Sequence, residues 1–195
     1  MTTQITFPTL RSERLVLRAM RESDLEPLTA YLSDFDVTKM LCSAPHPFSP
    51  EDGRRYLLQT MESDPNEHVH WAIEAEGQFC GYIKASYLTS QPGIGYWLGK
   101  THWGKGLMSE AVLLVLTYLF QHRDLSAVQT GAFQCNPASL RVLQRFGFII
   151  ETLRTNTCAA RGGEELNEAF LKVSADRFQQ VLEECPLRKK RVLLQ

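Results

Sequence analysis

The sequence predicts one mixed α/β domain, in which helices cover both faces of a mostly antiparallel sheet. Residues 71–75 and 79–85 are apolar runs on either side of Glu76-Gly77-Gln78, an arrangement typical of a β-hairpin. Over residues 94–135 an apolar strand pattern, a long helical pattern and another strand pattern follow in turn. Because a crossover of that length is typical of two parallel strands, we expect the sheet to be mixed.

The part of the chain before the hairpin predicts a strand and two helices. Residues 15–18 predict the strand, and Ser23-Asp24 then begins a helix with leucines along one side. Residues 36–48 predict an irregular loop. Ser49-Pro50-Glu51-Asp52 favours the start of a second helix, which we expect to run toward Met61.

The second half of the chain completes the sheet. It predicts a strand over residues 94–98, a helix over 107–120, a strand over 128–135, and final strands over 148–152 and 169–173. Arg161-Gly162-Gly163-Glu164 is expected to form the turn between the last two strands.

Composition favours a single domain. The chain has 195 residues, 44% of them hydrophobic and 22% charged, which is enough for one packed core and short for two. We therefore expect a single domain over residues 1–185 and a basic tail over residues 186–195. The formal net charge of -1 gives no general attraction to nucleic acid or to an anionic membrane, so we expect neither as a partner.

Cysteine usage favours a reducing compartment. The five cysteines, at positions 42, 80, 135, 158 and 185, are odd in number and include no Cys-x-x-Cys pair. Residues 1–10 lack the pattern of a secretory leader, and the apolar run 111–120 is too short to span a bilayer. We expect a soluble, cytoplasmic protein.

The most informative motif is a glycine-rich turn between a strand and a helix, Trp103-Gly104-Lys105-Gly106-Leu107-Met108-Ser109. Two glycines let the backbone approach a ligand, and the first amides of a helix are unpaired, so the turn is suited to phosphate oxygens. It departs from the Walker pattern, because Gly106 follows the lysine, and from the dinucleotide pattern, because Ser109 replaces the third glycine. A third pattern, the Gly-x-Gly turn with which coenzyme A acyltransferases bind pyrophosphate, remains compatible with Gly104-Lys105-Gly106.

A second motif, Asn136 to Phe148, predicts a short helix with both ends defined. Asn136 is suited to be the N-cap, Pro137 the first helical residue and Gly147 a left-handed C-cap. Ser139 lies three residues after Asn136, which puts both polar side chains at the same end of the helix. A ligand at that end could contact both.

With these motifs the chain resembles the GNAT superfamily of N-acetyltransferases, and within it the branch of ribosomal-protein N-terminal acetyltransferases that modify alanine or serine termini. Residues 9–18, 94–111 and 136–148 carry the resemblance, in the family's order and across nearly the whole chain. The resemblance implies acetyl-coenzyme A as donor and a primary amine as acceptor. It implies direct attack of the amine in a ternary complex, with no covalent enzyme intermediate and no metal.

The resemblance also implies which residues contact the donor. They are Trp97, Leu98, Trp103, Gly104, Lys105, Gly106, Leu107, Met108, Asn136 and Ser139. Residues 36–48 would form part of the wall of the acceptor site. Alternatively, they form a packed connector whose apolar side chains only cover the sheet.

The acceptor is open at this point. The α-amine of a protein N-terminus is favoured, and a small amine such as a polyamine, an amino acid or an antibiotic is the alternative. A coenzyme A-binding regulatory module without catalysis is the competing class. A monomer and a homodimer are both compatible with the sequence.

Catalytic candidates follow from the places where the chain departs from the family. Many members place a tyrosine acid where this chain has Leu143, but the alanine-terminus branch uses a serine at the place of Ser139, which is our candidate general acid. The family's usual glutamate bases are also absent. Glu74 is the base candidate that we name, with His70, His46 or a water chain as alternatives.

Overall fold

The computed structural model describes residues 7–184, which form one eight-stranded sheet with helices on both faces. In chain order the elements are β1 (Leu10–Arg11), β2 (Leu15–Ala19), α1 (Leu25–Leu32), α2 (Phe35–Thr38), α3 (Pro50–Met61), β3 (His68–Ala75), β4 (Gln78–Ser86), β5 (Gly93–Leu98), α4 (Leu107–Gln121), β6 (Ala127–Phe133), α5 (Pro137–Arg145), β7 (Ile149–Cys158), β8 (Glu164–Ser174) and α6 (Ala175–Glu184). The expected basic tail, residues 186–195, lies outside the described range. Between residues 7 and 184, no helix has the length and apolar character needed to cross a membrane.

The sheet is mixed and mostly antiparallel, as predicted. Its strand order is β1-β2-β3-β4-β5-β6-β8-β7, and each neighbouring pair is antiparallel except β5 with β6. The predicted hairpin is the pair β3 and β4. Its turn has Glu76 and Gly77 in left-handed backbone, with φ of 52° and 74°, and two such residues favour a tight turn between twisted strands.

The helices pack on opposite faces because successive strand residues point in opposite directions. Trp71 of β3 belongs to a large apolar cluster with side chains of α4, α5 and α6, whereas its neighbour Ala72 belongs to a second cluster with Leu28 of α1 and Leu57 of α3. The helix α4 is apolar nearly all round, which suits its buried position against the sheet. The predicted fold class is therefore confirmed.

The structure differs from the sequence prediction in the first loop and near the C-terminal end. Residues 35–38 form the short helix α2, whose start is capped by Asp34 accepting the Asp36 amide at 2.8 Å, before the irregular loop continues. The strands β7 and β8 extend well beyond the predicted ranges, and α6 was not predicted. Because most residues of β7 are exposed, its sequence lacks the apolar alternation that marks a half-buried strand.

The parallel pair β5 and β6 is joined at one end. Gly93 pairs with Gln129, and the Thr130 hydroxyl donates to the Ile94 carbonyl at 2.9 Å. Across the described residues no further register pair joins these strands, so they separate toward their C-terminal ends. An opening between parallel strands at their carboxyl ends is where a sheet of this kind can admit a ligand.

Candidate active site

A cavity of about 1020 Å³ lies in the opening between β5 and β6. It is lined by Tyr96, Trp97 and Leu98 of β5 and by Thr130, Gly131 and Ala132 of β6. The starts of α4 and α5 border one side, and residues of α3 and of the loop after α2 border the other. The volume lies at the upper end for ligand pockets, so the cavity can hold a large ligand beside a smaller one.

The start of α4 offers unpaired amides to this cavity. The first hydrogen bond of the helix runs from the Glu110 amide to the Gly106 carbonyl at 3.2 Å, so the amides of residues 107–109 have no partner within the helix. Gly104 and Gly106 have left-handed backbone, with φ of 74° and 77°, which glycine adopts without strain. The turn therefore has the geometry and the donors that a phosphate group requires.

The buried carboxylate of Glu110 connects the start of α4 to the residues before β2 through hydrogen bonds. Glu110 is 4% exposed, and it accepts from the Ser12 hydroxyl at 2.5 Å and from Arg14 Nε at 2.9 Å. Arg14 also donates to the Lys105 carbonyl, within the turn, at 3.1 Å. The residues before β2 thus fix the turn in place, and Arg14 neutralises a carboxylate that would otherwise repel phosphate.

The start of α5 brings Asn136 and Ser139 together. The Asn136 side chain accepts the Ser139 amide at 3.1 Å, which confirms the predicted cap. The Ser139 hydroxyl is hydrogen-bonded to the Tyr96 hydroxyl at 2.9 Å, and burial raises the pKa of Tyr96 to about 12. A protonated phenol and a serine hydroxyl therefore meet where α5 approaches β5. Leu143, in contrast, is fully buried in the core.

The strand β5 presents its main chain to the opening. The Ile94 carbonyl faces β6, and by the two-residue alternation of a strand the main-chain groups of Tyr96 and Leu98 face the same way. The Trp103 indole donates to the Leu98 carbonyl at 2.8 Å, and the Leu98 amide is directed into the opening beside the main-chain groups of Tyr96. An amide in this position can stabilise negative charge on an oxygen.

A chain of aromatic side chains, Trp97, Tyr56, Tyr82 and His70, lines the side of the cavity away from α5. The Trp97 indole donates to the Tyr56 hydroxyl at 3.1 Å, the Tyr56 ring contacts the Tyr82 ring edge to face with centroids 5.4 Å apart, and the Tyr82 hydroxyl is hydrogen-bonded to His70 Nδ1. Burial raises the pKa of Tyr56 to about 12 and lowers the pKa of His70 to about 4. The chain is therefore uncharged at neutral pH.

Several charged side chains near the cavity were missed by the sequence analysis, among them Lys84 and Glu168. Lys84 of β4 lines the cavity, and its stem lies over Gly95, its register partner in β5. Glu168 of β8 is 3% exposed, lies against Gly131 and accepts from Arg154 Nε at 2.5 Å. The only signal in the sequence is a charged residue inside an apolar strand pattern, and strand register decides which cavity such a residue meets.

The predicted donor-binding residues gather around the opening, except for one. Those that line the cavity are Trp97, Leu98, Trp103, Gly104, Gly106, Leu107, Met108, Asn136 and Ser139. The side chain of Lys105 is exposed and does not line it. Parts of the loop over residues 36–48 also line the cavity, on the side of the aromatic chain.

The predicted catalytic candidates are separated by the structure. Ser139 lines the cavity, whereas Glu74 does not. Glu74 instead accepts from Arg18 Nε at 2.6 Å, on the neighbouring strand β2. Of the alternative bases, His70 lines the cavity and His46 does not.

Known N-acetyltransferases are similar to this chain in sequence. A family model described as an acetyltransferase (GNAT) domain matches residues 14–149. The probable N-acetyltransferase YjcK of Bacillus subtilis (strain 168) is 36% identical over 180 residues, which cover 87% of this chain and 99% of that protein. The ribosomal-protein-serine acetyltransferase of Escherichia coli (strain K12) is 27% identical over 166 residues, which cover 82% of this chain and 89% of that protein.

Solved structures share the fold. RimJ of Mycobacterium smegmatis, in complex with CoA-disulfide, superimposes with a TM-score of 0.77 at 17% identity, over 93% of this chain and 98% of that one. Three observations point to the same family. They are the cavity between the separated parallel strands, the unpaired amides at the start of α4, and the family match over most of the chain. The chain belongs to the GNAT acetyltransferase family and is an N-acetyltransferase.

Proposed function

We propose that the protein transfers the acetyl group of acetyl-coenzyme A to a primary amine in a ternary complex, and that the favoured acceptor is the α-amine of a protein N-terminus. The observation that carries the proposal is the opening between β5 and β6, with unpaired amides at one end and the Tyr96–Ser139 pair inside it. The similarity to a ribosomal-protein-serine acetyltransferase supports the choice of acceptor.

The residues around the opening fit the proposed donor. The amides of residues 107–109 and the two glycines of the turn would hold the pyrophosphate, since the backbone there leaves room for it. Trp97, Leu98, Trp103 and Asn136 would contact the pantetheine arm. When bound, acetyl-coenzyme A supplies an activated thioester.

Groups of β5 and α5 would stabilise the carbonyl oxygen and protonate the leaving sulfur. The Leu98 amide would stabilise the charge that develops on the carbonyl oxygen. The Ser139 hydroxyl would donate a proton toward the leaving sulfur, and Tyr96 would return a proton to Ser139 through their hydrogen bond.

The amine also has to lose a proton. Glu74 is held by Arg18 outside the cavity, so we favour a path through water along Tyr56 and the hydrogen-bonded pair of Tyr82 and His70, or through water alone. The ring of His70 is neutral at pH 7 and hydrogen-bonded to Tyr82, so it can pass a proton on to water, whereas its low pKa of about 4 makes it a poor final acceptor.

Calorimetric titration with coenzyme A tests the donor site, with two matched glycine variants. Gly106 and Gly162 both have left-handed backbone, with φ of 77° and 68°, so alanine should destabilise the fold by about 1 kcal/mol at either position. Only Gly106 lines the cavity. Gly106→Ala should weaken coenzyme A binding about tenfold or more, because its Cβ enters the space of the phosphates, and Gly162→Ala should leave the affinity unchanged.

Equal affinities in the two variants, or binding of ATP or NAD in place of coenzyme A, would contradict the proposed donor site. Coenzyme A binding without transfer to any peptide or small amine would instead favour the regulatory module. Transfer to small amines but to no peptide would overturn the protein N-terminus as acceptor.

Location and domain organisation are part of the same proposal. A cytoplasmic location is supported by Cys42, Cys80, Cys135 and Cys158, which are free thiols. A single domain over residues 1–185 is supported by the continuous sheet, which runs from β1 to β8.

A further inference from the structure

Lys84 of β4 places a positive charge in the wall of the cavity opposite α5. His70, Lys84 and Gly95 are register partners across β3, β4 and β5, so they lie in one row on the same face of the sheet. The Lys84 stem crosses Gly95, with Cε 3.2 Å from the point where a Cβ would stand. Because Gly95 has no side chain, the ammonium of Lys84 can extend over β5 toward the opening.

No carboxylate neutralises this ammonium within residues 7–184, where Lys84 forms no ion pair. Its neighbours His70 and Cys42 are uncharged at neutral pH, since burial lowers the pKa of His70 to about 4 and raises the pKa of the Cys42 thiol to about 11. Burial also lowers the pKa of Lys84, which shows that its charge is poorly solvated.

The acidic groups nearby are already engaged. The Glu168 carboxylate accepts from Arg154 at 2.5 Å and does not line the cavity. Asp52 lines it but accepts from Ser49, at 2.6 Å from the hydroxyl, and pairs with Arg55. A half-buried cation without a counter-ion is costly, and an anionic ligand would remove that cost.

We propose that Lys84 binds a carboxylate of the acceptor, so that the enzyme acetylates amines that carry a carboxylate close to the amine. This inference rests on the proposed acetyl transfer and narrows its acceptor. The carboxylate can belong to a free amino acid or to an acidic side chain beside the N-terminus of a peptide. A polyamine would add positive charge beside Lys84 and is therefore a poor acceptor.

Steady-state kinetics of the full chain with acetyl-coenzyme A tests the proposal. The acceptors are free amino acids and their amides, peptides with glutamate or glutamine at the second position, and spermidine. Wild type should prefer the carboxylate member of at least one pair by about tenfold or more in kcat/KM, and the favoured pair distinguishes an amino acid from a peptide. Lys84→Met should abolish that preference by raising KM, Lys84→Arg should retain most of it, and Lys172→Met, at an exposed lysine of β8, should behave as wild type.

A binding measurement keeps the proposal testable without turnover. The same carboxylate amines, with and without coenzyme A, should raise the Tm of wild type and of Lys172→Met but not that of Lys84→Met. Preference for spermidine or for the amides, or equal losses on both members of a pair in Lys84→Met, would overturn the role of Lys84. Failure of wild type to bind coenzyme A would count against the acetyl transfer itself, while the Tm shifts would still decide the role of Lys84.

Discussion

Tyr96 and Ser139 come from different elements, β5 and α5, and share a hydrogen bond of 2.9 Å. The sequence identifies Ser139, because it follows the cap residue Asn136 at a fixed spacing, but it does not identify Tyr96, because spacing along the chain does not say which strand lies beside α5. With its pKa raised to about 12, the Tyr96 phenol is protonated at physiological pH. It is therefore able to restore a proton that Ser139 gives away.

Loss of either hydroxyl should slow acetyl transfer. We expect Ser139→Ala to lower the single-turnover rate by about 10²-fold, near the lower end for general acids because a thiolate leaves readily, and Tyr96→Phe to have a smaller effect. If Tyr96 acts through Ser139, the double variant should be no slower than Ser139→Ala. Tyr87→Phe, at a side chain that is 61% exposed, serves as the control. Losses that multiply in the double variant would contradict the relay.

His70 gives a second prediction at this scale, for stability against pH. The folded chain keeps His70 neutral down to about pH 4, whereas the unfolded chain protonates it near its ordinary pKa of about 6.5. Between these values the unfolded state binds more protons, so stability should fall as the pH falls from 6.5 toward 4. The groups that face the ring are Lys84, His68 and the Tyr82 hydroxyl.

Urea unfolding of wild type and His70→Gln measures this effect. The variant should lose about 1–2 kcal/mol less than wild type between pH 7 and pH 4.5, since the partial exposure of the ring reduces the full linkage. His122→Gln, at an exposed histidine, should follow the wild-type curve. Parallel curves for wild type and His70→Gln would show that the ring takes up its proton equally in both states.

Among the elements, the start of α4 depends most on a part of the chain that is distant in sequence. Ser12 and Arg14 precede β2, yet they hold Glu110 and the Lys105 carbonyl in place. The helix itself supplies no side-chain cap, because Gly106 stands at the N-cap position. The turn is therefore ordered by tertiary contacts more than by its own sequence.

Arg14→Met should loosen this turn. We expect the free energy of unfolding to fall by about 1 kcal/mol, because Glu110 stays buried with one partner fewer while Arg14 itself is 45% exposed. The affinity for coenzyme A should fall several-fold, since the amides of the turn lose their fixed position. Arg54→Met removes an exposed helical ion pair with Glu51 and should change neither quantity measurably. An unchanged affinity for coenzyme A in Arg14→Met would show that the turn is ordered without the contacts of Arg14 to Glu110 and the Lys105 carbonyl.

Elements with strong local signals were predictable from the sequence. The β3–β4 hairpin has its turn glycine, α4 its apolar length and α5 its two caps, and each is a local choice of residues. The strand β7 was predicted too short, because Ile149, Ile150 and Leu153 are exposed and its pattern has no buried face. Its pairing with β8 supplies the order that its own sequence does not indicate.

For the whole molecule, the sequence predicts the class of sheet but not its register. The end of the cavity proposed for the donor could be located from the sequence, since the turn at 103–109 and the helix start at 136–139 are continuous motifs that both line the cavity. The proposed acceptor side could not, because strand pairing and the packing of α3 bring Tyr56 and Lys84 to the cavity and place Glu168 against Gly131. Only the three-dimensional arrangement shows which of these charges lacks a counter-ion.

The cavity also divides the chain in a way that bears on its evolution. Apart from Trp97, its lining on the side of α3 and the aromatic chain comes from residues before position 90, whereas the strand, turn and helices around the proposed donor come from residues 95–145. Substitutions among the cavity-lining residues before position 90, which do not include Ser12 and Arg14, can therefore alter which amine is accepted while the residues that line the proposed donor site stay the same. Proteins derived from such a gene can therefore differ in the amine that they accept while they keep the same donor and the same reaction.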